Sequence, residues 1–580
     1  MPKILRVNMT DRTATYEDVP ERYKFLGGRG LTSTIVYDEV DPTCHPLGPN
    51  NKLVFAPGIV TGTNAPTSGR VSVGGKSPLT GGIKESNAGS SWVQAVAKLG
   101  IKAIIVEGFP KESGWWGLYI TKDGVEFFPA DEYAGRGLYE VYPQLFERFG
   151  KKAHICSIGV AGEMKMAMAG VCFNDNHGRP SRYSGRGGLG AVMGSKGLKF
   201  IVVDDTGAPG VEIANPDLFN QGRKKLLEAL RQHDITKPKG GLNTYGTAIL
   251  VNIINEAGGY PTRNFREGRF EGAAATSGEA IFENNKKRLG KELYNHACHP
   301  GCVIQCSNTY YDEKGNEIVS CIEYETTWAL GANCGIDNLE AIGKLTWLCN
   351  DLGLDTIEAG GTIAVAMDAG LLSFGDWEGA IRLLDEEVRK GTPLGHIIGN
   401  GAAFTGKAFG WYRVPGVKGQ NMPAYEPRAI KGIGITYAIS TMGADHTSGY
   451  TIAPEILGVG GKVDQFDVNK AELARNFQYT TAFIDTTGHC LFIAFAILDI
   501  PSGFEGMVEE CAGLLGADWT PDDAARIGKE IIDRELAFNR AAGFTKSDDR
   551  LPEFMKYEKL PPHNVVWDVP DEVLDAVFGE

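Results

Sequence analysis

Three cysteines, Cys298, Cys302 and Cys306, recur at four-residue intervals in the run CHPGCVIQC. On an unbroken helix that spacing would put them on one face, where cysteine serves well as a small buried hydrophobe. Pro300 and Gly301 interrupt the run. A proline inside a helix lacks a donor and clashes with the preceding turn, so an irregular loop is expected. Three thiols on a short loop can converge on a metal or an iron–sulfur cluster, and a fourth ligand must come from elsewhere. Two further stretches echo one another. NDLGLD at 350–355 and DTTGHC at 485–490 each close a predicted helix with a small polar residue, a glycine three places on, and Asp355 or Cys490 two places after that. Locally these are glycine-capped helix ends. The second also offers Cys490 as a fourth thiol, and both set carboxylate or amide side chains where an amine-bearing ligand could bond to them.

Two glycine-rich runs invite a nucleotide-binding reading. GRGGLG at 185–190 fits G-x-G-x-x-G, but that motif needs a strand before it and a helix after it. Here the polar, turn-like NDNHGRPSRYS precedes it and the strand-like KFIVVDD follows, so no dinucleotide site is expected. RVSVGGKS at 70–77 ends like a phosphate loop but has Arg70 where the leading glycine should stand. Both runs could cradle an anion with Arg70, Lys76, Arg182 and Arg186. Ordinary turns carrying surface arginines account for them as well.

The elements that must position these groups change character along the chain. Residues 1–207 read as strand-rich: KILRVNM, ATYEDV, KLVFAPG, RVSVGG, AIIVEG, GLYITKDG and KFIVVDD are short β-type runs between turn residues. One helix is expected over SSWVQAVAKLG, ended by Gly100. Residues 208–412 turn helical, and a third, helical segment spans 413–580. The fold class is therefore α+β, a strand-rich N-terminal domain followed by two mainly helical ones, with no simple repeat. The 580 residues suffice for several cores, and 42% hydrophobic with 22% charged residues is ordinary for a globular protein. A formal net charge of −14 argues against nucleic acid as a partner. No secretion signal and no apolar run of membrane-spanning length are visible; LFIAFAILDI at 491–500 reads as buried core. Eleven cysteines without such a signal fit a reducing, cytoplasmic setting and metal or redox roles.

With these motifs in view, the chain resembles the aldehyde:ferredoxin oxidoreductases nearly end to end. The resemblance rests on KSPLTGG with ESNAGS (76–90), GRGGLGAVMGSKGLK (185–199), EYETTWALGANCGIDNLEAI (323–342), CNDLGLDTIEAGG (349–361), GADH (443–446), DTTGHC (485–490) and FTKSDDRLPE (544–553). It implies tungsten, or molybdenum, on two pyranopterin dithiolenes (tungstopterin) beside one [4Fe–4S] cluster, with Mg²⁺ compatible as a bridge between the pterin phosphates. Carried over residue by residue, Cys298, Cys302, Cys306 and Cys490 would hold the cluster. Arg70, Asn87, Gly89 and the Arg182, Gly185, Arg186, Gly187 segment would meet pterin phosphates and the bridging ion. Asn350, Asp355, Asp485 and the backbone near His489 would meet the two pterins, and Glu325 and His446 would face the metal. Three positions depart from the archaeal pattern: C-x3-C-x3-C replaces C-x2-C-x3-C, Asn350 replaces an aspartate, and Ser448 stands where a lysine meets phosphate. These point to a bacterial branch.

The resemblance implies oxidation of an aldehyde to its acid, with Glu325 taking a proton from the attacking water or hydrate and His446 donating to the oxygen where charge develops. Glu323 is a competing carboxylate, and both groups could instead be ordinary satisfied core residues. No second cysteine set and no accepted flavin or nicotinamide motif is present, so the resemblance implies a ferredoxin or separate iron–sulfur and flavin subunits as acceptor, and an oligomer. Cys44, Cys156, Cys172, Cys321, Cys334, Cys349 and Cys511 read as structural. The alternatives are a related tungsten enzyme such as a benzoyl-coenzyme A reductase catalytic subunit, a non-catalytic iron–sulfur electron-transfer subunit, and a zinc site at the same cysteines.

Overall fold

The computed structural model describes residues 1–579. The strand-rich part folds as two six-stranded mixed sheets. The first comprises β1 (Lys3–Asn8), β2 (Thr13–Asp18), β3 (Leu53–Pro57), β4 (Arg70–Lys76), β5 (Ile83–Gly89) and β6 (Ile101–Glu107) in the order β2-β1-β6-β3-β4-β5. The second comprises β7 (Trp116–Thr121), β8 (Gly124–Pro129), β9 (His154–Ser157), β10 (Val171–Phe173), β11 (Arg182–Ser184) and β12 (Leu198–Val203) in the order β8-β7-β12-β9-β10-β11. Shifted by six, the two orders are identical. Each has one parallel pair, β1 with β6 and β7 with β12, and antiparallel neighbours elsewhere.

The helices repeat too. Helix Gly28–Glu39 follows β2 as Leu138–Phe149 follows β8, and Ser91–Lys98 follows β5 as Leu189–Ser195 follows β11. Leu31, Ile35 and Val36 cover the outer face of the first sheet, and Leu138, Val141, Tyr142 and Leu145 cover that of the second. Val71, Val73, Val171, Phe173, Trp92 and Val192 fill the space between the sheets. Burying each such side chain stabilises by roughly 1.5–3 kcal/mol. The absence of a repeat expected from sequence is therefore corrected: the two halves share topology, which is fixed by alternation and turn chemistry rather than by residue identity.

The strand-rich part ends at Val203, and helices dominate from Pro216–Gln232 onward. One hydrophobic core runs from Val160 to Val577. Helices Pro216–Gln232 and Pro501–Leu515 meet so closely that a Cβ at Gly222 would lie 2.5 Å from Gly506 O, and one at Gly506 would lie 2.6 Å from Gly222 O. LFIAFAILDI forms a 3₁₀ turn and the helix Ala494–Asp499 and is only partly core, because several of its side chains line a cavity. No helix among the described residues is long and apolar enough to cross a membrane.

Candidate functional site

The two echoed helix ends dock on the two sheets in the same way. Helix Leu339–Leu352 stops at Gly353 (φ +82°) and helix Ala471–Thr487 at Gly488 (φ +93°), both left-handed caps that an L side chain resists. Gly353 O accepts from Gly170 N, just before β10 (3.0 Å), and Gly488 O accepts from Arg70 N, at the start of β4 (3.2 Å). The glycine just beyond each preceding strand makes room. A Cβ on Gly58, after β3, would lie 2.0 Å from Gly488 Cα; one on Gly159, after β9, would lie 2.3 Å from Leu352 O.

Three cysteines lie on an irregular loop, as Pro300 requires. Cys298 and Cys302 are buried, Cys306 and Cys490 partly so. The charge of Cys298 bears on Cys302, Cys306 and Cys490, and that of Cys490 on Cys302 and Cys306, so the four thiols face a common region. Hydrogen bonding from Cys302, aided by His299 and Arg182, holds Cys298 well below the ordinary thiol range. Among the described residues no three His, Cys, Asp or Glu side chains are grouped to hold a single metal ion. Thr67, which sequence reasoning missed, joins the halves of the thiol set: its N–H donates to Gly301 O (3.0 Å), its O accepts from Cys490 N (2.9 Å), and its hydroxyl accepts from Val303 N (3.2 Å). Its φ of +57° is its only peculiarity, and nothing in a TSG tripeptide announces it.

Arg70, Asn87 and Gly89 sit beside the thiols. A Cβ on Gly89 would lie 2.5 Å from Cys298 Sγ and 3.0 Å from Arg70 Nη1. Arg70 bonds to Asn87 Oδ1, has no carboxylate within 4.0 Å among the described residues, and feels the thiols Cys490 and Cys298 as well as the like charge of Arg182. Arg182 reaches Ser307 and Cys321, and lies 3.7 Å from Glu323. Two adjacent guanidiniums, of which only Arg182 has a carboxylate within 4.0 Å among the described residues, are suited to an anion. Lys76 does not join it: its ammonium is buried against Pro42 O and Cys44 O, and RVSVGGK is strand β4, paired with β3 on one side and β5 on the other. GRGGLG also needs correction, since strand β11 does precede it and helix Leu189–Ser195 follows, with Gly187 (φ +87°) and Gly188 (φ +77°) making the turn. The reason given against it from sequence fails, because RYS is too short and polar to read as a strand. Gly185 lies against Asp355, where an added Cβ would come within 3.7 Å of Asp355 Cα.

Arg186 gathers the second side, bonding to Asp355 Oδ2 (3.2 Å), Ala444 O (2.9 Å) and Asn421 O (2.6 Å). Asp355 also caps helix Thr356–Asp368. Asn350 bonds to Tyr139 OH and Ser320 O. Asp485 lies 3.2 Å from Arg29, and burial together with the neighbouring Glu85 pushes its carboxyl up to about 8. Glu85 is a second group sequence reasoning passed over; it lies inside the quoted ESNAGS stretch. The His489 ring turns away, between Thr487 Oγ1 (2.8 Å) and Glu510 Oε2 (2.7 Å), and its own N–H bonds to Thr487 Oγ1.

Glu325, on helix Tyr324–Ala329, and His446, on the 3₁₀ turn His446–Ser448, come together: Glu325 Oε1 is 3.2 Å from His446 Nε2. That approach lacks hydrogen-bond alignment, and Glu325 Oε1 and His446 Nδ1 are buried polar atoms without a hydrogen-bond partner. Burial pushes the Glu325 carboxyl up to about 8, against the Ala424 N–H that bonds Oε2 at 2.9 Å. Burial pushes His446 down to about 4, against the pull of Asp445. Both are uncharged at neutral pH. Glu323 points elsewhere, accepting from Thr247. Tyr425 and Tyr450 flank His446 with ring centroids at 5.8 and 6.1 Å and join hydroxyls at 2.7 Å. Beyond Tyr450 opens a cavity walled by Phe477, Ile484, Leu491, Phe492 and Phe495, with no Lys or Arg in its lining. The seven cysteines read as structural are all buried and unpaired.

Residues 4–205 match the family model described as aldehyde ferredoxin oxidoreductase, N-terminal domain, and residues 221–578 match that for domains 2 and 3 of the same family. The tungsten-containing aldehyde ferredoxin oxidoreductase of Pyrococcus abyssi is 39% identical over 582 residues, covering 96% of this chain and 92% of its own. Its counterpart in Thermococcus kodakarensis is 37% identical over 581 residues with the same coverage. The active-site complex BamBC of benzoyl coenzyme A reductase, solved with 1,5-dienoyl-CoA, has the same fold: TM-score 0.80 at 19% identity, over 99% of this chain and 93% of that one.

Proposed function

The chain belongs to the aldehyde ferredoxin oxidoreductase family, a tungsten oxidoreductase family, and on that premise we propose that it oxidises aldehydes to carboxylic acids, RCHO + H2O → RCOOH + 2H⁺ + 2e⁻. The observation that carries this reading is the unsatisfied, uncharged Glu325–His446 pair beside an apolar cavity.

The residues present suit the family's cofactors. Arg70, which has no carboxylate within 4.0 Å among the described residues, and Arg182, shared with Glu323, offer guanidiniums to phosphate, and the glycines at 58, 89 and 159 leave no room for side chains where the helix caps and thiols meet the sheets. Four thiols brought to a common region suit the family's [4Fe–4S] cluster. Arg70, Asn87, Gly89, Arg182, Gly185, Arg186 and Gly187 would hold the two pterins from the sheets, with Mg²⁺ between their phosphates. Asn350, Asp355, Asp485 and the backbone at His489 would hold them from the helix caps. When bound, the tungsten–pterin group accepts two electrons from the substrate and the cluster passes them on singly.

The protein's own work is in proton handling and orientation. Glu325, in the ionised form it reaches as pH rises through about 8, removes a proton from the water that adds to the aldehyde carbon. His446 orients the carbonyl oxygen through the nitrogen turned to the site. Tyr425 and Tyr450 wall the pair from bulk water, which strengthens both contacts. The cavity beyond Tyr450 receives an apolar substituent. The shared fold keeps the benzoyl-coenzyme A alternative in view.

Electrons leave to a separate ferredoxin or iron–sulfur and flavin subunits. Eleven free thiols support a cytoplasmic, reducing location for the enzyme. The test is tungsten, molybdenum and iron analysis of the purified protein with aldehyde-dependent viologen reduction. Hexanal and benzaldehyde should be oxidised well and glyceraldehyde 3-phosphate poorly. Metal-replete protein that oxidises no aldehyde overturns the reading.

A further inference from the structure

The thiol loop reaches the surface at Pro300, Gly301 and Gln305, which are exposed; a Cβ added at Gly301 would meet nothing within 4 Å. Beside Gln305 the surface turns basic. Lys239 N donates to Asn243 Oδ1 (3.0 Å), and the Asn243 amide donates to Gln305 O (3.1 Å), so Lys239 stands two hydrogen bonds from the residue preceding Cys306. The Lys239 ammonium lies over the Tyr294 ring, 5.2 Å from its centroid. Tyr294 donates to Glu292 Oε2 (3.0 Å), and Glu292 pairs with Lys286 (3.3 Å). Helix Gly278–Leu289 ends in Lys286, Lys287 and Arg288, and Lys291 follows its glycine cap. Lys239, Lys287 and Lys291 are exposed, and among the described residues none has a carboxylate within 4.0 Å.

We propose that this face docks a small acidic iron–sulfur electron carrier, a separate chain, and that Lys239, Lys287 and Lys291 supply the attraction that orients it over the Cys298–Cys306 loop. The inference rests on the proposed reading of that loop as the point where electrons leave. Its own argument is charge contrast. The chain carries a formal −14, so an acidic protein is repelled by the surface as a whole and accepted where exposed ammonium groups have, among the described residues, no carboxylate within 4.0 Å and only Glu292 nearby. Exposed rim charges of this kind act chiefly on the encounter rate and its salt dependence. Each aldehyde yields two electrons, so two single-electron transfers cross this face per turnover, each reducing one ferric centre of the carrier.

The experiment compares wild type with Lys239→Glu/Lys287→Glu/Lys291→Glu, both with metal and iron contents verified, using a purified acidic two-[4Fe–4S] ferredoxin as probe. Its Kd is measured at about 20 and about 200 mM salt, across which the screening length shortens severalfold. Aldehyde-dependent reduction of ferredoxin and of methyl viologen is followed in parallel. Wild-type Kd should weaken with salt, the variant's low-salt Kd should be weaker by about tenfold or more, and viologen turnover should be unchanged. Equal low-salt Kd values, or a wild-type Kd indifferent to salt, overturn the proposal, the second even if the variant fails to fold. Wild type that binds ferredoxin in a salt-dependent way but reduces no viologen with any aldehyde overturns the proposed function instead.

Discussion

Glu325 Oε1 stands 3.2 Å from His446 Nε2, and burial displaces the two groups in opposite directions, the carboxyl up to about 8 and the imidazole down to about 4. The pair therefore meets a substrate without net charge and can take up or direct a proton without first shedding a tight ion-pair partner.

Glu325→Gln should lower viologen-linked aldehyde turnover by roughly 10²–10⁴-fold while tungsten, pterin and iron contents stay normal. A base that ionises near 8 also makes wild-type turnover climb between pH 7 and 9, and the variant's profile should be flat there. The same shift has a stability sign. With its folded pKa above the ordinary value, Glu325 binds its proton more tightly folded than unfolded, so its contribution to stability is present at acid pH and lost as pH rises toward 8. Metal-free Glu325→Gln should therefore melt higher than metal-free wild type at pH 9. Loss of metal from the replete variant would sink the assigned role.

His446→Asn should cost roughly 10²–10³-fold in kcat, the scale of losing one preorganised donor, with metal content retained. His446 has the opposite linkage. Its folded pKa lies below 6.5, so its contribution is present at neutral pH and lost as pH falls through 4. Wild type should lose more melting temperature than His446→Asn between pH 6.5 and 4, as read by calorimetry on the metal-free protein.

Cys302→Ser and Cys490→Ser should each lower iron content and abolish or alter the electron paramagnetic signal of the reduced protein. Cys321→Ser, although its thiol touches Arg182, should leave iron and signal intact. Full iron in Cys302→Ser would mean that the Pro300–Gly301 insertion has removed one thiol from the ligand set.

Gly58→Ala and Gly159→Ala should behave alike, because each Cβ would strike backbone at the opposing helix cap, at 2.0 and 2.3 Å. Backbone cannot rotate aside as a side chain can, so each should destabilise by more than about 2 kcal/mol, seen as a fall in melting temperature with loss of pterin. Gly301→Ala, at an open turn, is the control for substitution itself: its φ of +87° brings strain but no clash.

The loop and the helix ends around the candidate site were more legible in sequence than the strands that hold them. The CHPGCVIQC loop and both glycine caps were legible because proline and glycine restrict backbone directly. Strand β5, which carries Asn87 and Gly89, was not, since IKESNAG lacks the apolar alternation of a half-buried strand. Its polar side chains are buried against the site instead. Strand β11 was hidden for the same reason, and with it the strand–turn–helix context of GRGGLG. The matching of the two sheets was invisible because it resides in pairing order. Thr67 was missed because its part is played mostly by backbone atoms, which no residue type advertises.

The paired sheets and their paired helix caps amount to two nearly equivalent sockets facing each other. Two residues beyond each cap glycine they part company: the first socket presents the carboxylate Asp355, the second the thiol Cys490. On the proposed reading a twofold prosthetic group would be gripped evenly from both sides and wired from only one. The even grip would fix where the metal sits, and that single broken equivalence would give the molecule its polarity, with fuel arriving at the centre and current leaving past the second cap alone.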